Sequence, residues 1–209
     1  MDYLAPILSV ALIHLLAVMS PGPDFIMILR NSLVYSRRSG IYSAVGLGLG
    51  IAVHVTYCLA GIALLIAQSV VIFNALKFMS AAYLLYIGIK SLRARRAREV
   101  SVGGHETHDL TSWQALRIGF ITNVTNPKAT LFFLSLFTLV ISPSTPQFIK
   151  LIMGIEMVLA TMLWFSLLAI VVSHRNIRHR VHGIQHHLER FMGGILILLA
   201  VKVATNHSK

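Results

Sequence analysis

The chain has 209 residues, of which 56% are hydrophobic and only 12% are charged, and its formal net charge is +11. A soluble domain of this length must keep its outer surface wetted, so a mean hydropathy of +0.76 indicates a membrane protein instead. The single cysteine, Cys58, excludes a disulfide within the chain.

Six hydrophobic segments are each close to the length of about 20 apolar residues that crosses a bilayer as a helix. In chain order they cover residues 3–33, 40–67, 70–92, 113–141, 148–173 and 188–204. A polar basic loop covers residues 93–112. We therefore predict one transmembrane domain, with a first repeat at 1–92 and a second at 113–209. No basic leader with a cleavage site opens the sequence, so we expect no removable signal peptide.

The first and fourth segments are both interrupted by proline next to a charged residue. Pro23 precedes Asp24 in "MSPGPDFIM", and Pro127 precedes Lys128 in "TNPKA", 104 residues later. Gly50-Ile-Ala and Gly154-Ile-Glu share this offset, and residues 80–90 resemble residues 192–202. Three matches in the same order indicate two homologous halves. Because each half has an odd number of spans, we predict an all-α integral membrane protein built of two inverted three-helix repeats, with broken first and fourth helices.

Lysine and arginine predict the orientation. Thirteen of the 18 basic residues lie in or beside the connections between segments 1 and 2, 3 and 4, and 5 and 6. The positive-inside rule places these connections in the cytoplasm and both termini outside. The positive charge is then a topology signal and an attraction to anionic membrane lipids rather than a sign of nucleic-acid binding.

The breaks predict where a site forms. Proline inside a helix costs about 3 kcal/mol, but it is well placed at the first position of a new helix. We therefore expect Pro23 and Pro127 to begin second half-helices, with Asn126 capping the latter. Such half-helices expose backbone donors that suit a carboxylate, and in lipid they survive only where protein or a polar cavity covers them. The polar residues nearby either line this cavity or satisfy freed backbone groups: Thr122, Asn123, Thr125 and Asn126.

The same motifs resemble the LysE-type amino-acid exporter family, in particular its threonine/homoserine efflux branch. The resemblance covers nearly the whole chain and rests on proline-glycine-proline at 21–23, the basic turn at 30–40 and asparagine-proline-lysine at 126–128. It implies a carrier in the cytoplasmic membrane that exports amino acids, driven by proton entry. The family's substrates vary, so the resemblance does not identify the cargo, and we predict small neutral amino acids similar to threonine and homoserine, or their derivatives. An acidic residue at the position of Asp24 belongs to some branches of the family and not to others.

Three ionisable residues, Asp24, Lys128 and Glu156, fall inside apolar segments. Each costs about 2.5–3.5 kcal/mol near the centre of a membrane helix. One interpretation is a structural salt bridge that joins the two halves. The other is a transport site in which Lys128 and the half-helix at Pro127 bind a substrate carboxylate, while Asp24 or Glu156 binds the ammonium group and later a proton.

His54 in the second segment is either a proton relay or a histidine hydrogen-bonded between helices, and His14 allows the same two interpretations. Together the residues predicted for the substrate and proton pathway are Pro21, Gly22, Pro23, Asp24, His54, Asn123, Asn126, Pro127, Lys128 and Glu156. We expect no cofactor and no resident metal. A homodimer is suggested by the small size of the chain.

Other function classes fit less well. A divalent-metal exporter would need more acidic, histidine or cysteine ligands than Asp24, Glu156 and His54 supply beside a cationic lysine. An intramembrane enzyme is not indicated, because HExxH, GxSxG and paired intramembrane aspartates are all missing. A scaffolding protein would leave the charged breaks unexplained. The histidine-rich stretch 174–187 is either a basic interfacial segment or, through His182 and His186, a metal-binding one.

Overall fold

The computed structural model describes residues 3–20, 22–68, 109–140 and 145–174, with scattered positions between 71 and 93 and between 190 and 201. All regular structure in these residues is helical, which confirms the predicted all-α class. The third and sixth predicted segments and the basic loop lie largely outside this part of the chain. The arrangement of six spans as two inverted repeats therefore stays a prediction, as does the division at 93–112.

The first hydrophobic segment is broken where its sequence predicts. Helix α1 (Leu4–Met19) ends before the proline pair, and α2 (Pro23–Arg30) begins with proline at its first position. The pair is bent by 57° at this break. A short π-helix, Asn31–Tyr35, continues from α2. Proline is tolerated here because the first N–H groups of a helix have no intrahelical partner.

The remaining described helices are α3 (Arg37–Gln68), α4 (Ser112–Val124), α5 (Pro127–Val140) and α6 (Gln147–Val172). A capping box begins α4: Gln114 N donates to Thr111 Oγ1 and Thr111 N donates to Gln114 Oε1. The second break falls at Thr125 and Asn126, between α4 and α5. Both predicted interruptions are thus present, and both restart on proline.

By length and composition, α3 over Arg37–Gly61 and α6 can each cross a bilayer, and α1 with α2 forms a third span if the bent pair counts as one. Helix α6 exposes a continuous apolar stripe, with residues spaced three and four apart. Its members are Phe148, Leu151, Ile155, Leu159, Leu163 and Leu167. An outward apolar face is costly in water and is what a lipid solvent requires, so the fold is that of a membrane protein.

Among the residues that the structure describes, buried apolar side chains form two clusters, and both contribute to the lining of a cavity. The first cluster includes Phe133 of α5 and Met157 of α6. The second joins α2, α3 and α6 through Ile28, Leu47 and Phe165. Phe133 and Phe165 line the cavity, which therefore lies where the two clusters meet.

Helices α3 and α4 cross at backbone contact. A Cβ at Gly46 would collide with the carbonyl oxygen of Leu116, and one at Gly119 would collide with that of Ser43. Gly46 belongs to a glycine-rich stretch of the second segment, residues 46–50. It therefore allows the two helices to pack closely, as small residues commonly do in membrane helix bundles. The crossing fixes α4, and with it the start of the second break.

The carboxylate of Asp109, just before α4, is hydrogen-bonded to residues at the start of α3. Asp109 accepts hydrogen bonds from Ser36 Oγ and Ser39 Oγ, both at 2.7 Å, and Arg38 Nη2 donates to Ser112 Oγ at 3.0 Å. The two serine hydroxyls stabilise the charged form and hold the pKa of Asp109 below its usual value. Since Arg30, Arg37 and Arg117 lie near the same helix ends, we refer to this end of the bundle as the basic end.

Candidate functional site

The two breaks meet through the carboxylate of Asp24, which lies at the second position of α2 directly after Pro23. Asn123 Nδ2 donates to Asp24 Oδ2 at 2.8 Å, and Asn126 Nδ2 donates to Asp24 Oδ1 at 3.0 Å. Each carboxylate oxygen thus receives one amide from the opposite half of the sequence. Because a carboxylate oxygen has two lone pairs, each keeps capacity for another donor.

Asn126 connects this carboxylate to the start of α5. While its amide nitrogen binds Asp24, its Oδ1 accepts from the backbone nitrogen of Lys128 at 3.0 Å. This is the helix cap predicted from the sequence, since it satisfies one of the unpaired N–H groups at the start of a helix. Both ends of the Asn126 side chain are therefore bound, which fixes its orientation.

Lys128 reaches back to the other break. Its Nζ donates to the carbonyl oxygen of Ser20 at 3.1 Å and to Ser20 Oγ at 3.0 Å. Ser20 is the residue that ends α1, so the ammonium group lies at the negative end of that helix. Asp24 lies at the positive end of α2. Each charge therefore lies at a helix end of opposite partial charge. This lowers the free-energy cost of burying the Lys128 ammonium and the Asp24 carboxylate inside the bundle.

His54 supports the site from α3. Its Nε2 lies 3.0 Å from the backbone oxygen of Asn123, and its Nδ1 lies 2.6 Å from Tyr57 Oη. A carbonyl oxygen can only accept, so Nε2 carries the proton, and in the neutral ring Nδ1 accepts from the tyrosine hydroxyl. The ring also stacks on Phe133, with centroids 5.5 Å apart and planes 3° apart. His54 is therefore hydrogen-bonded between helices, which is one of its two predicted roles.

A cavity of about 50 Å³ adjoins these groups. Polar residues of both breaks share its wall with aromatic side chains. The polar members of the lining are His14, Ser20, Asp24, Asn123, Asn126, Lys128 and Thr161.

Most of the predicted residues lie at this cavity or beside it. Gly22 lines it, and a Cβ there would lie 3.3 Å from Lys128 Nζ, so the glycine gives the lysine room. Pro23 and Pro127 begin α2 and α5. Pro21 lies outside the described residues.

Glu156 does not line the cavity. It precedes Thr161 by five residues on α6, which turns its side chain about 140° away from the face that Thr161 presents. Its Oε2 is buried and has no hydrogen-bond partner among the residues described. The structure therefore groups Asp24, and not Glu156, with Lys128.

Three polar residues of the lining are not among those predicted for the site: Ser20, His14 and Thr161. Ser20 lies within the predicted first break. Its contact with Lys128 could not be predicted from the sequence, because it depends on how the two breaks pack against each other. The sequence indicates His14 only as a proton relay or a hydrogen-bonded histidine, and it does not single out Thr161. A polar residue within an apolar helix is the available signal for Thr161.

The chemistry of the arrangement is that of binding. The ammonium group of Lys128 and the carboxylate of Asp24 line the same cavity, and a cation and an anion at one cavity suit a small zwitterion. In the described part of the chain, no group of three or more histidine, cysteine or acidic side chains is placed to hold a metal ion.

Comparison with known proteins identifies the family. Residues 15–207 match the family described as LysE type translocator. The uncharacterized membrane protein YahN of Escherichia coli (strain K12) is 28% identical over 204 residues, which is 97% of this chain and 91% of its own. The threonine efflux protein of the same strain is 25% identical over 189 residues, 90% of this chain and 92% of its own.

The leucine efflux protein of Salmonella choleraesuis (strain SC-B67) is 34% identical over 131 residues, 62% of this chain and 60% of its own. No solved structure matches the chain. Because the family match extends over nearly the entire sequence and agrees with the motifs at both breaks, the chain belongs to the LysE type translocator family.

Proposed function

We propose that this protein is a secondary transporter that exports small neutral amino acids across the cytoplasmic membrane in exchange for protons. The observation that carries the proposal is the meeting of Asp24, Asn126 and Lys128 at one cavity, between the two helix breaks. Relatives named for threonine and for leucine efflux support an amino-acid cargo.

An amino-acid zwitterion needs one cationic and one anionic partner at short range. Lys128 together with the N-terminus of α5 supplies positive potential for the carboxylate. In this scheme the substrate carboxylate replaces Ser20 as a partner of the ammonium group. Asp24 binds the substrate ammonium through the lone pairs that Asn123 and Asn126 leave.

Proton coupling follows if Asp24 exchanges the substrate ammonium for a proton. With the ammonium bound, the carboxylate is charged and paired. Once the substrate leaves, Asp24 keeps its two amide donors but loses its cationic partner. A charge inside the bundle is then costly, and a proton from outside neutralises it. The basic end of the bundle faces the cytoplasm in this proposal, as the positive-inside rule predicts. A homodimer stays a prediction.

The test is transport by the purified protein in liposomes. A panel of labelled amino acids is offered with and without a pH gradient across the membrane, with protein-free liposomes as the control. We expect the gradient to drive accumulation of at least one small neutral amino acid. Flux of divalent metal ions without flux of any amino acid would refute the proposal in favour of a metal exporter.

A further inference from the structure

His14 is a fully buried polar side chain with unfilled hydrogen-bonding capacity. It is 0% exposed, and its ring packs against Phe132 and Phe133, with centroids 6.2 and 5.8 Å apart. Its Nε2 lies 3.4 Å from Thr161 Oγ1, at the outer limit of a hydrogen bond. Its Nδ1 has no partner in the described part of the chain. A buried polar atom without a hydrogen-bond partner destabilises a fold, and such atoms in native proteins usually have a structural or functional explanation.

Both His14 and Thr161 line the cavity that Asp24 and Lys128 also line. His14 lies six residues before Ser20 on α1, which separates the two by about 9 Å along the helix axis. The His14–Thr161 pair is therefore set apart from the charged groups while bordering the same space. His14 is 0% exposed and Thr161 is 1% exposed, so a group in the cavity supplies the missing partner of the imidazole only by entering the wall that these two residues form.

We propose that His14 and Thr161 form a subsite that binds a hydroxyl group on the side chain of the substrate, and so determine which neutral amino acids are carried. The inference rests on the proposed function, since it assumes that the α-amino and α-carboxylate groups bind at Asp24 and Lys128. It assigns the choice of side chain to positions of α1 and α6 that lie outside the two breaks.

The chemistry of the pair fits a hydroxyl. A neutral imidazole has one donor and one acceptor nitrogen, the threonine hydroxyl donates and accepts, and a substrate hydroxyl does the same. An aliphatic side chain would leave the Nδ1 of the buried imidazole unpaired. A pocket built to hydrogen-bond a substrate group rejects the analogue that lacks it more strongly than an apolar pocket rejects an added hydroxyl. The two phenylalanine rings meanwhile limit the size of the side chain.

Threonine and valine are nearly isosteric and differ in this hydroxyl, so their relative transport efficiencies measure the subsite. In the reconstituted protein we expect threonine to be favoured. Thr161→Val keeps the shape of the side chain and removes its hydroxyl, and it should lower the threonine-to-valine ratio of kcat/KM by about three- to tenfold, the worth of one neutral hydrogen bond. Thr161→Ser, which keeps the hydroxyl, is the matched control and should stay nearer the wild-type ratio.

His14→Phe tests the second member and should lower the same ratio. A second measurement uses the wild type alone and so does not depend on the folding of a variant. Unlabelled threonine and unlabelled valine are compared as competitors of labelled amino-acid uptake. A wild type that prefers valine, or an unchanged ratio in Thr161→Val, overturns the subsite while leaving amino-acid export intact. Absence of transport of every amino acid by the wild type refutes the proposed function, and the subsite with it.

Discussion

Replacement of Asp24 by asparagine separates the charge of this residue from its shape. In the wild type both carboxylate oxygens accept from amides, at 2.8 Å from Asn123 and 3.0 Å from Asn126. The new amide keeps one oxygen and presents an NH₂ group in place of the other. One of the two asparagines must therefore turn its oxygen toward residue 24, or a donor will face a donor.

The structure shows which one can turn. The Oδ1 of Asn126 is bound to the backbone nitrogen of Lys128, so a flip there would cost the cap of α5. The Oδ1 of Asn123 is buried and has no partner among the described residues, so a flip there exchanges one unpaired atom for another. Asp24→Asn should then keep two hydrogen bonds, now between neutral groups. Charge-assisted bonds are about twice as strong as neutral ones, so the two bonds together weaken by about 1–2 kcal/mol. The lower cost of burying a neutral amide offsets part of this, so the stability loss should not exceed that range.

Asp24→Ala is the matched comparison, because it removes both acceptors. Two buried amide donors are then left unpaired at about 1–3 kcal/mol each, which predicts a loss of about 2–6 kcal/mol. Thermal unfolding of the purified proteins in detergent measures both losses. We expect Asp24→Asn to unfold slightly below the wild type and Asp24→Ala far below it, or to fail to accumulate.

The folded Asp24→Asn protein then tests coupling. Transport in liposomes is measured with and without an inward proton gradient, and we expect the variant to lose the acceleration that the gradient gives the wild type, because an amide does not exchange a proton in this range. A variant that keeps the full acceleration would show that Asp24 is not the coupling group. Equal stability losses for the two variants would contradict the hydrogen-bond geometry on which the magnitude depends.

Three further outcomes test other parts of the structure. Lys128→Gln should lower the transport efficiency by about tenfold to a hundredfold, because it removes a charge-assisted hydrogen bond to the substrate carboxylate. Uptake of labelled amino acid in liposomes measures this, and unchanged uptake would contradict the role of Lys128. Gly119→Ala should strongly destabilise the fold, because its Cβ would meet the backbone oxygen of Ser43, whereas Gly61→Ala meets nothing within 4 Å and should unfold like the wild type. Hydrogen bonds that depress the pKa of Asp109 add stability that is present above its usual pKa of 3.8 and lost as pH falls through the lower folded value. The difference in Tm between wild type and Asp109→Asn should therefore be constant near neutral pH and shrink in acid, and a difference that grows in acid would refute the assignment.

The helix breaks were predictable because their causes are local. Proline removes a hydrogen bond within its own helix whatever lies around it, so Pro23 and Pro127 had to begin helices rather than continue them. The cap by Asn126 depends on a neighbour two residues away, and it is confirmed. The capping box at Thr111 is equally local, since its partner lies three residues away. The pairing of interrupted segments in the two halves then pointed to the residues that the structure brings together.

The sequence by itself thus determined a membrane-spanning helical chain, the two breaks within it and the charged residues that they carry, since these follow from hydropathy and short-range backbone chemistry. Only the tertiary structure decided that Asp24 rather than Glu156 shares a cavity with Lys128, because that depends on the direction in which α6 turns its faces. The same is true of Ser20 and His14, whose partners lie more than 100 residues away in sequence. Contacts of that kind are set by how helices pack, and packing is not encoded in any single segment.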